Sequence, residues 1–513
     1  MNSLTGVEKA TSIVIFGGSG DLTQRKLVPA LFSLHRKGRL PARTNIVGFS
    51  RTAFSHDQYR DHLRQGMQTH SPQTFDADAW ASFAQHVYYS PGDSESSAGL
   101  AQLNELLEKL EAGLPRAESR GPADRLYYCA TAPSLFGPVA RALGRTGMAD
   151  EAGVPGSGLS TLGSPPSGFR RIVLEKPFGS DLASAQELNR ELHSVFREDQ
   201  IYRMDHYLGK ETAQNILFFR FANSMFEPVW NRNYVDNIQV TVFESEGVGH
   251  RGGYYDQAGV LRDMFQNHLL QLLCLVAMEP PASFDAEAVR DEKAKVLRAI
   301  APVSLADTVR GQYRSYRESP KVAPDSQAAT YGAVKLYIDN WRWQGVPCYL
   351  RSGKSLSAKS SQVDIVFRCP PHIIFRLPPF GPNLLSIRIQ PDEGIHLQFQ
   401  AKVPDSAETT REVEMAFHYS SYFHSGQLPD AYERLLLDAL RGDASLFPRE
   451  DAIDLAWQLI DPIVAGWASP DAPPLATYEP GSPGPIEADG LMSRDGACCP
   501  EGCGGYRTHA GTA

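Results

Sequence analysis

The stretch from Ser12 to Leu34 constrains the fold more than any other part of the chain. Ser12–Phe16 is a continuous β-branched and apolar run, which predicts a strand buried on both faces of a parallel sheet. The loop that follows directly is Gly17-Gly18-Ser19-Gly20-Asp21-Leu22. Apolar residues then recur at helical spacing, with an irregularity expected at Pro29, so the free N–H groups of the helix start would face a pyrophosphate. The glycines do not fall on the three positions of G-x-G-x-x-G, so a plain tight turn is the alternative.

The second predicted strand, Asn45–Phe49, decides which dinucleotide is expected. It runs into Ser50-Arg51-Thr52, where an NAD-preferring site carries an acidic residue for the ribose 2′-hydroxyl. A guanidinium flanked by two hydroxyls suits a 2′-phosphate, so Arg51 favours NADP over NAD. The alternative is a solvated arginine at a strand end.

Two further apolar runs predict buried strands of the same sheet. Residues 126–132 break at Pro133, and residues 172–174 run into Glu175-Lys176-Pro177. Both runs would deliver loops to the carboxyl edge of the sheet, where ligands bind. Lys176 is therefore expected to meet a cofactor phosphate or a substrate hydroxyl, with a salt bridge to Glu175 as the alternative.

The segment Arg203–Glu211 combines cations, a carboxylate and a phenol around one glycine. On a helix His206 and Lys210 are i and i+4, so both would point from one face toward one anion, and a phosphate suits them. Asp205 would repel that phosphate, so it is expected to have another role, such as orienting a catalytic histidine. The alternative is a solvated, salt-bridged helix face.

Length and composition limit the class of protein. A chain of 513 residues is too long for one ordinary core, so two or three domains are expected. The chain is 21% charged and 42% hydrophobic, and its net charge of -9 argues against a nucleic-acid partner. No apolar run approaches the roughly eighteen residues of a membrane span, so a cytoplasmic protein without membrane association is expected.

The seven cysteines divide into two groups. Four lie in apolar or strand-like contexts and are expected to be reduced core residues. They are Cys129, Cys274, Cys348 and Cys369. The others lie near the end of the chain and are Cys498, Cys499 and Cys503. With only His509 nearby, their spacing is a weak pattern for zinc, and no metal site is predicted.

Changes of pattern along the chain predict its domain organisation. The boundary is expected near residue 205, so that residues 1–205 form a nucleotide-binding domain and residues 206–490 a second domain. A Gly/Pro/Ser-rich stretch at residues 150–168 predicts a flexible surface insertion. Beyond the boundary, alternating runs predict a large, mostly antiparallel sheet. They lie at residues 237–244, 363–367, 384–389, 395–399 and 413–417. Residues 491–513, rich in glycine and cysteine, predict a disordered tail.

Five blocks occur in the order and approximate spacing of glucose-6-phosphate dehydrogenases, and the chain resembles that family over most of its length. The blocks are Gly17–Thr23, Glu175–Gly179, Asp205–Glu211, Asp263–His268 and Arg351–Lys354. The resemblance implies an α/β Rossmann-type dinucleotide-binding domain followed by a larger β+α domain, whose sheet carries the subunit interface of a homodimer or homotetramer. It also implies oxidation of glucose 6-phosphate at C1 to the lactone with NADP as hydride acceptor, the first step of the oxidative pentose phosphate pathway.

The resemblance also assigns site residues. His268, alone more typical of a hydrogen-bonded core histidine, matches the general base, and Asp205 matches the carboxylate that orients it. The residues matched to phosphate ligands are His206, Tyr207 and Lys210. Those matched to contacts with the rest of the substrate are Glu244, Asp263, Lys354 and Lys359.

One geometric conflict and two rival functions stay open. Asp263 and His268 are five residues apart, about 140° around an ideal helix, so both face one substrate only if the helix is irregular or the pocket wide. One rival is another NADP-dependent sugar or sugar-phosphate dehydrogenase. Within this class, an enzyme of the sugar-acid type has no need of the predicted phosphate-binding residues between Asp205 and Lys210. The other is a non-catalytic nucleotide-binding regulator, which has no need of a base and its orienter.

Overall fold

The computed structural model describes residues 9–112, 122–151, 168–370, 381–406, 409–423 and 428–494. These residues form two compact units. The first holds the described residues up to Gly209 together with Asp285–Glu287 and Pro429–Glu450, and the second holds the others. The insertion predicted at residues 150–168 falls mostly on residues 152–167, which lie outside the described ranges.

Strands and helices alternate along most of the first unit, as a parallel sheet requires. Its strands are β1 Thr11–Phe16, β2 Thr44–Ser50, β3 Val87–Pro91, β4 Asp124–Cys129, β5 Arg170–Leu174 and β6 Ile201–Arg203. The α-helices between them are α1 Val28–Arg36, α2 His56–His70, α3 Ala77–Ala84, α4 Ser97–Glu111, α5 Phe136–Arg145 and α6 Leu182–His193. A π-helix, Thr23–Leu27, directly precedes α1, and Pro29, where an irregularity was expected, is the second residue of α1.

The six strands of the first unit run parallel in the order β3-β2-β1-β4-β5-β6, the Rossmann order. Every residue of β1 is buried, as its unbroken apolar character predicts for a sheet covered on both faces. The strand order reverses between β1 and β4, so the loops after these strands border the crevice in which such sheets bind dinucleotides. The predicted α/β nucleotide-binding domain is confirmed.

The second unit is built around a larger sheet. Its strands are β7 Val235–Phe243, β8 Thr308–Tyr313, β9 Tyr331–Tyr337, β10 Pro347–Gly353, β11 Ser360–Phe367, β12 Leu384–Gln390, β13 Gly394–Lys402, β14 Thr410–His418 and β15 Leu475–Tyr478. The remaining α-helices of the chain are α7 Glu211–Phe221, α8 Gly252–Val260, α9 Leu270–Ala277, α10 Ala286–Ala299, α11 Tyr419–Tyr422, α12 Ala431–Arg441, α13 Glu450–Trp467 and α14 Ile486–Ser493. Of these, α12 belongs to the first unit. A π-helix, Leu261–Leu269, connects α8 to α9.

The nine strands of this sheet lie in the order β14-β13-β12-β11-β7-β10-β9-β8-β15. Most neighbours are antiparallel, while β10 pairs with β7 and β15 with β8 in parallel. The alternating runs of the sequence correspond to β7, β11, β12, β13 and β14. The prediction of a second β+α domain with a mostly antiparallel sheet is confirmed.

Aromatic residues dominate one buried cluster of the second unit. It includes Tyr255, Tyr313, Tyr316, Tyr331 and Tyr478, and Leu491 packs into it from α14. The prediction of a disordered tail from residue 491 is therefore wrong for residues 491–493, because Leu491 and Met492 are both only 1% exposed in the last turn of α14. The rest of the predicted tail, from residue 495 and with all three of its cysteines, lies outside the described ranges.

The cysteine prediction holds for three residues of four. Cys129, Cys274 and Cys348 are buried and free, and burial raises the pKa of each thiol. Cys369 is exposed, so its prediction as a core residue is wrong, because it lies two residues beyond the end of β11. In the part of the chain described, no helix combines the length and apolar character needed to cross a bilayer.

Candidate active site

The glycine loop after β1 packs closely against neighbouring backbone. Gly17 has a positive φ of 82°, and a Cβ added there would lie 2.4 Å from the carbonyl oxygen of Ala130. A Cβ on Gly18 would lie 2.7 Å from the Cα of Gly48 in β2. Both positions require glycine, so the loop is a tight turn that packs against the carboxyl edge of the sheet.

The same loop is tied to the residues around Arg51. The Ser19 hydroxyl lies 2.8 Å from Ser50 Oγ and 3.0 Å from Thr52 Oγ1. The two hydroxyls flanking Arg51 thus hold the glycine loop beside the end of β2. Arg51 itself is exposed, and within the described residues no ion pair or side-chain hydrogen bond engages it. Its guanidinium is available to an anion bound above the loop.

The loop after β5 carries Lys176, and the carboxylate of the preceding residue, Glu175, is hydrogen-bonded to tyrosine hydroxyls. Glu175 accepts a hydrogen bond of 2.6 Å from the hydroxyl of Tyr128, at the end of the neighbouring strand β4. Burial raises the pKa of Glu175, and the Tyr128 and Tyr432 hydroxyls offset part of that effect. Lys176 follows at the same carboxyl edge as the glycine loop, as the sequence predicts.

The segment after β6 forms a turn instead of the predicted helix. Residues 206–209 are a turn and α7 begins only at Glu211, so the prediction that His206 and Lys210 share one helix face is wrong. The reason is local. Asp205 Oδ1 accepts the Tyr207 N–H at 3.0 Å and its carbonyl accepts the Leu208 N–H at 3.1 Å, which closes a turn in place of a helical one.

The turn is buried against α12 of the same unit. A Cβ on Gly209 would lie 2.6 Å from the carbonyl oxygen of Ala431, so the chain passes this helix only with glycine there. Asp205 is 1% exposed and Tyr207 4% exposed, while His206 is partly exposed beside the Tyr207 ring. The first unit thus fixes a buried carboxylate next to an accessible imidazole.

Lys210 stands at the start of α7 in the second unit. It precedes the first residue of the helix, and among the described residues no side chain caps that helix end. Its ammonium donates to the side-chain oxygen of Gln390, the last residue of β12, and Thr212 Oγ1 donates to the carbonyl of Ile389 at 3.1 Å. An ammonium beside an uncapped helix N-terminus is well suited to a phosphate.

Strand register brings Glu244 and Lys354 together. Each directly follows one of two paired residues, since Phe243 of β7 pairs with Gly353 of β10. The Lys354 ammonium bonds the Glu244 carboxylate and lies 3.6 Å from Asp263 Oδ2. Because Lys354 is held between two carboxylates, the cluster offers both hydrogen-bond acceptors and a cation to a polyhydroxylated ligand.

A π-helix resolves the conflict between Asp263 and His268. Both lie in Leu261–Leu269, where the backbone follows the i→i+5 pattern, so residues five apart stack along one face. Asp263 is 4% exposed and His268 1% exposed. The helix irregularity that would let Asp263 and His268 face the same substrate is therefore present.

Two tyrosines of α8 join this cluster and were missed by sequence reasoning. The Tyr254 hydroxyl bonds the Asp263 carboxylate, and burial together with that carboxylate raises the pKa of Tyr254 to about 12. The ring of Tyr255 lies 5.0 Å from the Lys354 ammonium. The available signal was this tyrosine pair just upstream of the block that contains Asp263. Lys359, in contrast, is exposed, and no contact links it to the cluster within the described residues.

The predicted residues are therefore divided between the two units. The first unit holds Asp205, His206, Tyr207 and the residues expected to bind the cofactor. The second holds Lys210, Glu244, Asp263, His268, Lys354 and Lys359. The pairing of Asp205 with His268 stays a prediction of the family resemblance.

The first unit has a sheet in the Rossmann strand order with a glycine turn, and the second unit of the same chain carries buried acid–base groups. This combination is typical of a nucleotide-dependent dehydrogenase. Sequence comparison agrees. The model of the glucose-6-phosphate dehydrogenase NAD binding domain matches residues 14–215, and the model of the C-terminal domain of the same enzyme matches residues 217–500. The chain belongs to the glucose-6-phosphate dehydrogenase family.

Individual relatives match over nearly their whole length. A glucose-6-phosphate 1-dehydrogenase from Mycolicibacterium smegmatis is 43% identical, covering 97% of this chain and 98% of its own. One from Chlamydia pneumoniae is 41% identical, covering 94% of each. A solved glucose-6-phosphate dehydrogenase in complex with its substrate glucose 6-phosphate is similar with a TM-score of 0.87 at 37% identity, covering 97% of this chain and 100% of that one.

Proposed function

We propose that this protein oxidises D-glucose 6-phosphate at C1 to 6-phospho-D-glucono-1,5-lactone and transfers the hydride to NADP, the first step of the oxidative pentose phosphate pathway. The observation that carries the proposal is the family match across both units, in a chain that keeps the buried histidine of the matched block beside Asp263. A regulator without catalysis would have no need of that histidine.

His268 is the proposed general base. Oxidation of a cyclic hemiacetal needs a group that takes the C1 hydroxyl proton as hydride leaves C1, and an imidazole with an ordinary pKa of about 6.5 suits this. Asp205 would accept a hydrogen bond from the other imidazole nitrogen and stabilise the imidazolium. Its carboxylate is already oriented by the Tyr207 N–H, which supports a positioning role.

The substrate would be held by its phosphate and by its hydroxyls. Lys210 supplies the ammonium for the phosphate, with His206 and Tyr207 as the further predicted ligands. Glu244 and Asp263 would accept hydrogen bonds from sugar hydroxyls, and Lys354 would donate to the sugar. The role of Lys359 rests on the resemblance alone.

The residues of the first unit suit NADP. The Gly17–Gly18 turn lies at the carboxyl edge of the sheet, where a pyrophosphate would bind, with Ser19, Gly20, Asp21 and Leu22 completing the loop and Lys176 at the same edge. The exposed Arg51 guanidinium would pair with the 2′-phosphate. NADP supplies the hydride acceptor, nicotinamide C4, when it is bound.

One assay tests the proposal directly. Purified protein should form NADPH from NADP when glucose 6-phosphate is added, and unphosphorylated glucose should be a far poorer substrate by kcat/KM. Equal activity on glucose would favour another sugar dehydrogenase. Tight NADP binding without turnover of either sugar would favour a non-catalytic regulator.

We also expect a homodimer or homotetramer, as the family resemblance implies. Sedimentation velocity across a concentration series would distinguish the two. A monomer at all concentrations would contradict both.

A further inference from the structure

Three side chains at one edge of the second unit's sheet form a cluster that no proposed catalytic role uses. Asp392 lies between β12 and β13, His396 lies in β13, and His418 ends β14. One possible ligand atom from each residue lies within 4.8 Å of the others. Imidazole nitrogens and a carboxylate oxygen are the donors that Zn²⁺ prefers outside thiolate sites.

Strand register places the two histidines on one face. His396 pairs with Ala416 of β14, while Glu414 and His418 lie two positions to either side of Ala416. Because side chains alternate along a strand, all these residues point to the same face of the sheet. His396 is thus diagonally flanked by a carboxylate and by a second imidazole.

The His396 ring is oriented as in many metal sites. Its Nδ1 lies 2.5 Å from Glu414 Oε1, and a carboxylate can only accept, so Nδ1 carries the proton. The hydrogen bond to Glu414 engages Nδ1, so Nε2 is the nitrogen left to face a ligand. His396 is 3% exposed, and among the described residues its Nε2 has no hydrogen-bond partner. A carboxylate that fixes one imidazole nitrogen while the other faces a cluster of donors is the usual support of a metal-ligating histidine.

The two strands approach closely beside that nitrogen. A Cβ added at Gly394, opposite His418 in the strand pair, would lie 2.2 Å from the carbonyl oxygen of Phe417 and 3.5 Å from His396 Nε2. The two imidazole rings are 4.9 Å apart by centroid and nearly perpendicular. Glycine at position 394 therefore permits the close approach that brings the two histidines together.

The local charges also favour a cation. Asp392 Oδ1 lies 2.9 Å from His418 Nδ1, and Asp392 Oδ2 lies 3.4 Å from the Arg388 guanidinium. The two carboxylates of Asp392 and Glu414 outweigh the one positive charge of Arg388. A divalent ion would replace the direct bond between Asp392 and His418 by a shared ligand.

We propose that Asp392, His396 and His418 bind one Zn²⁺ ion at the edge of the sheet, with Glu414 as the positioning residue for His396. Three protein ligands leave one tetrahedral position for water on the side of the exposed Asp392. Bound Zn²⁺ would link the turn between β12 and β13 to the edge strand β14 and stabilise the folded state by mass action.

The test uses the full chain with Cys498, Cys499 and Cys503 changed to serine, since these thiols could bind Zn²⁺ themselves. After treatment with a chelator, calorimetric titration with ZnCl₂ should show about one ion per chain. Asp392→Asn and His418→Ala should each weaken binding about tenfold or more, and Glu414→Gln should weaken it about ten- to a hundredfold. His70→Ala, an exposed histidine of the first unit, is the matched control and should bind as the parent does.

Substitution by Co²⁺ gives a second readout, because its visible absorption reports tetrahedral nitrogen and oxygen ligands. His396 is buried, so His396→Ala could disturb folding. The decisive variants are therefore Asp392→Asn, at an exposed position, and His418→Ala, at a partly exposed one, once circular dichroism shows that both keep native structure. Zn²⁺ binding that is unchanged in both variants, or absent from the parent, would overturn the proposal.

Discussion

Asp263 and His268 lie one π-helical turn apart, both buried, within Leu261–Leu269. An α-helix would separate residues at this spacing by about 140°, and the i→i+5 backbone removes that separation. The carboxylate that faces Lys354 and the imidazole proposed as base are thereby presented on one face. Short π-helical stretches occur frequently at functional sites, and here the irregular turn joins two roles that a regular helix would divide.

Replacing the proposed base should abolish turnover while sparing binding. His268→Asn should lower kcat by about two to four powers of ten and leave the KM for glucose 6-phosphate nearly unchanged, because it removes proton transfer and keeps the phosphate ligands. Steady-state NADPH formation measures both constants. A variant that retains a tenth of the parent kcat would contradict the assignment.

The same assay tests the predicted partner of His268. If Asp205 acts only by orienting that imidazole, Asp205→Asn should lower kcat strongly in the parent and little in the His268→Asn background. Additive losses in the double variant would show that the two residues act independently.

Tyr254 should position Asp263 for the substrate. Tyr254→Phe removes the hydroxyl bonded to a carboxylate, a hydrogen bond worth about 1.5 to 3 kcal/mol, so kcat/KM for glucose 6-phosphate should fall about tenfold or more. Tyr255→Phe is the matched control, since the Tyr255 hydroxyl has no hydrogen-bond partner among the described residues. Equal effects of the two changes would indicate a general loss of packing.

Lys210 should bind the phosphate of the substrate. Lys210→Ala removes a charged hydrogen bond, so kcat/KM for glucose 6-phosphate should fall about tenfold to a hundredfold, while the weak activity on glucose changes little. Gln390→Ala, which removes the amide that accepts the hydrogen bond of Lys210, should also lower kcat/KM for glucose 6-phosphate, but by a smaller factor. If Lys210→Ala lowers activity on both sugars by one factor, the residue supports structure or catalysis instead.

Arg51 should set the choice of cofactor. Arg51→Ala should raise the KM for NADP by about tenfold to a hundredfold and that for NAD much less, because only NADP carries the 2′-phosphate. Arg64→Ala, an exposed arginine on α2, is the control. Equal increases for both cofactors would assign Arg51 another role.

Much of the fold could be predicted because its signals are local. The apolar run of β1 and the glycines after it predict a buried parallel strand and a tight turn, and the alternating runs predict the strands of the second sheet. The prediction of a helix through His206 and Lys210 was wrong because the Asp205 carboxylate accepts the Tyr207 N–H and Gly209 packs closely against Ala431, and these contacts override helical spacing. Neither contact can be predicted from the spacing of residues alone.

The candidate site was predictable only in part, for a related reason. The recognisable blocks contain Asp263 and Lys354, and the family resemblance assigned Glu244. The proximity of the three residues depends on the register of β7 against β10 and on the π-helix. Tyr254 and Gln390 carry no charge and act by holding another residue. Such residues become apparent only when the contacts are known.

Asp438 should make stability fall as pH rises through mildly acidic values. Burial raises its pKa from 3.8 to about 6 despite the nearby Arg434, so the folded state keeps the proton more tightly than the unfolded one. Its stabilising contribution is full below pH 3.8 and is lost as pH rises through about 6, a change of up to about 3 kcal/mol. Asp438→Asn, which resembles the protonated acid, should remove this loss. The melting temperature of the variant minus that of the parent should therefore increase between pH 4 and pH 7. Asp57→Asn, at a largely exposed position of the same unit, is the control, and parallel pH profiles for parent and Asp438→Asn would refute the assignment.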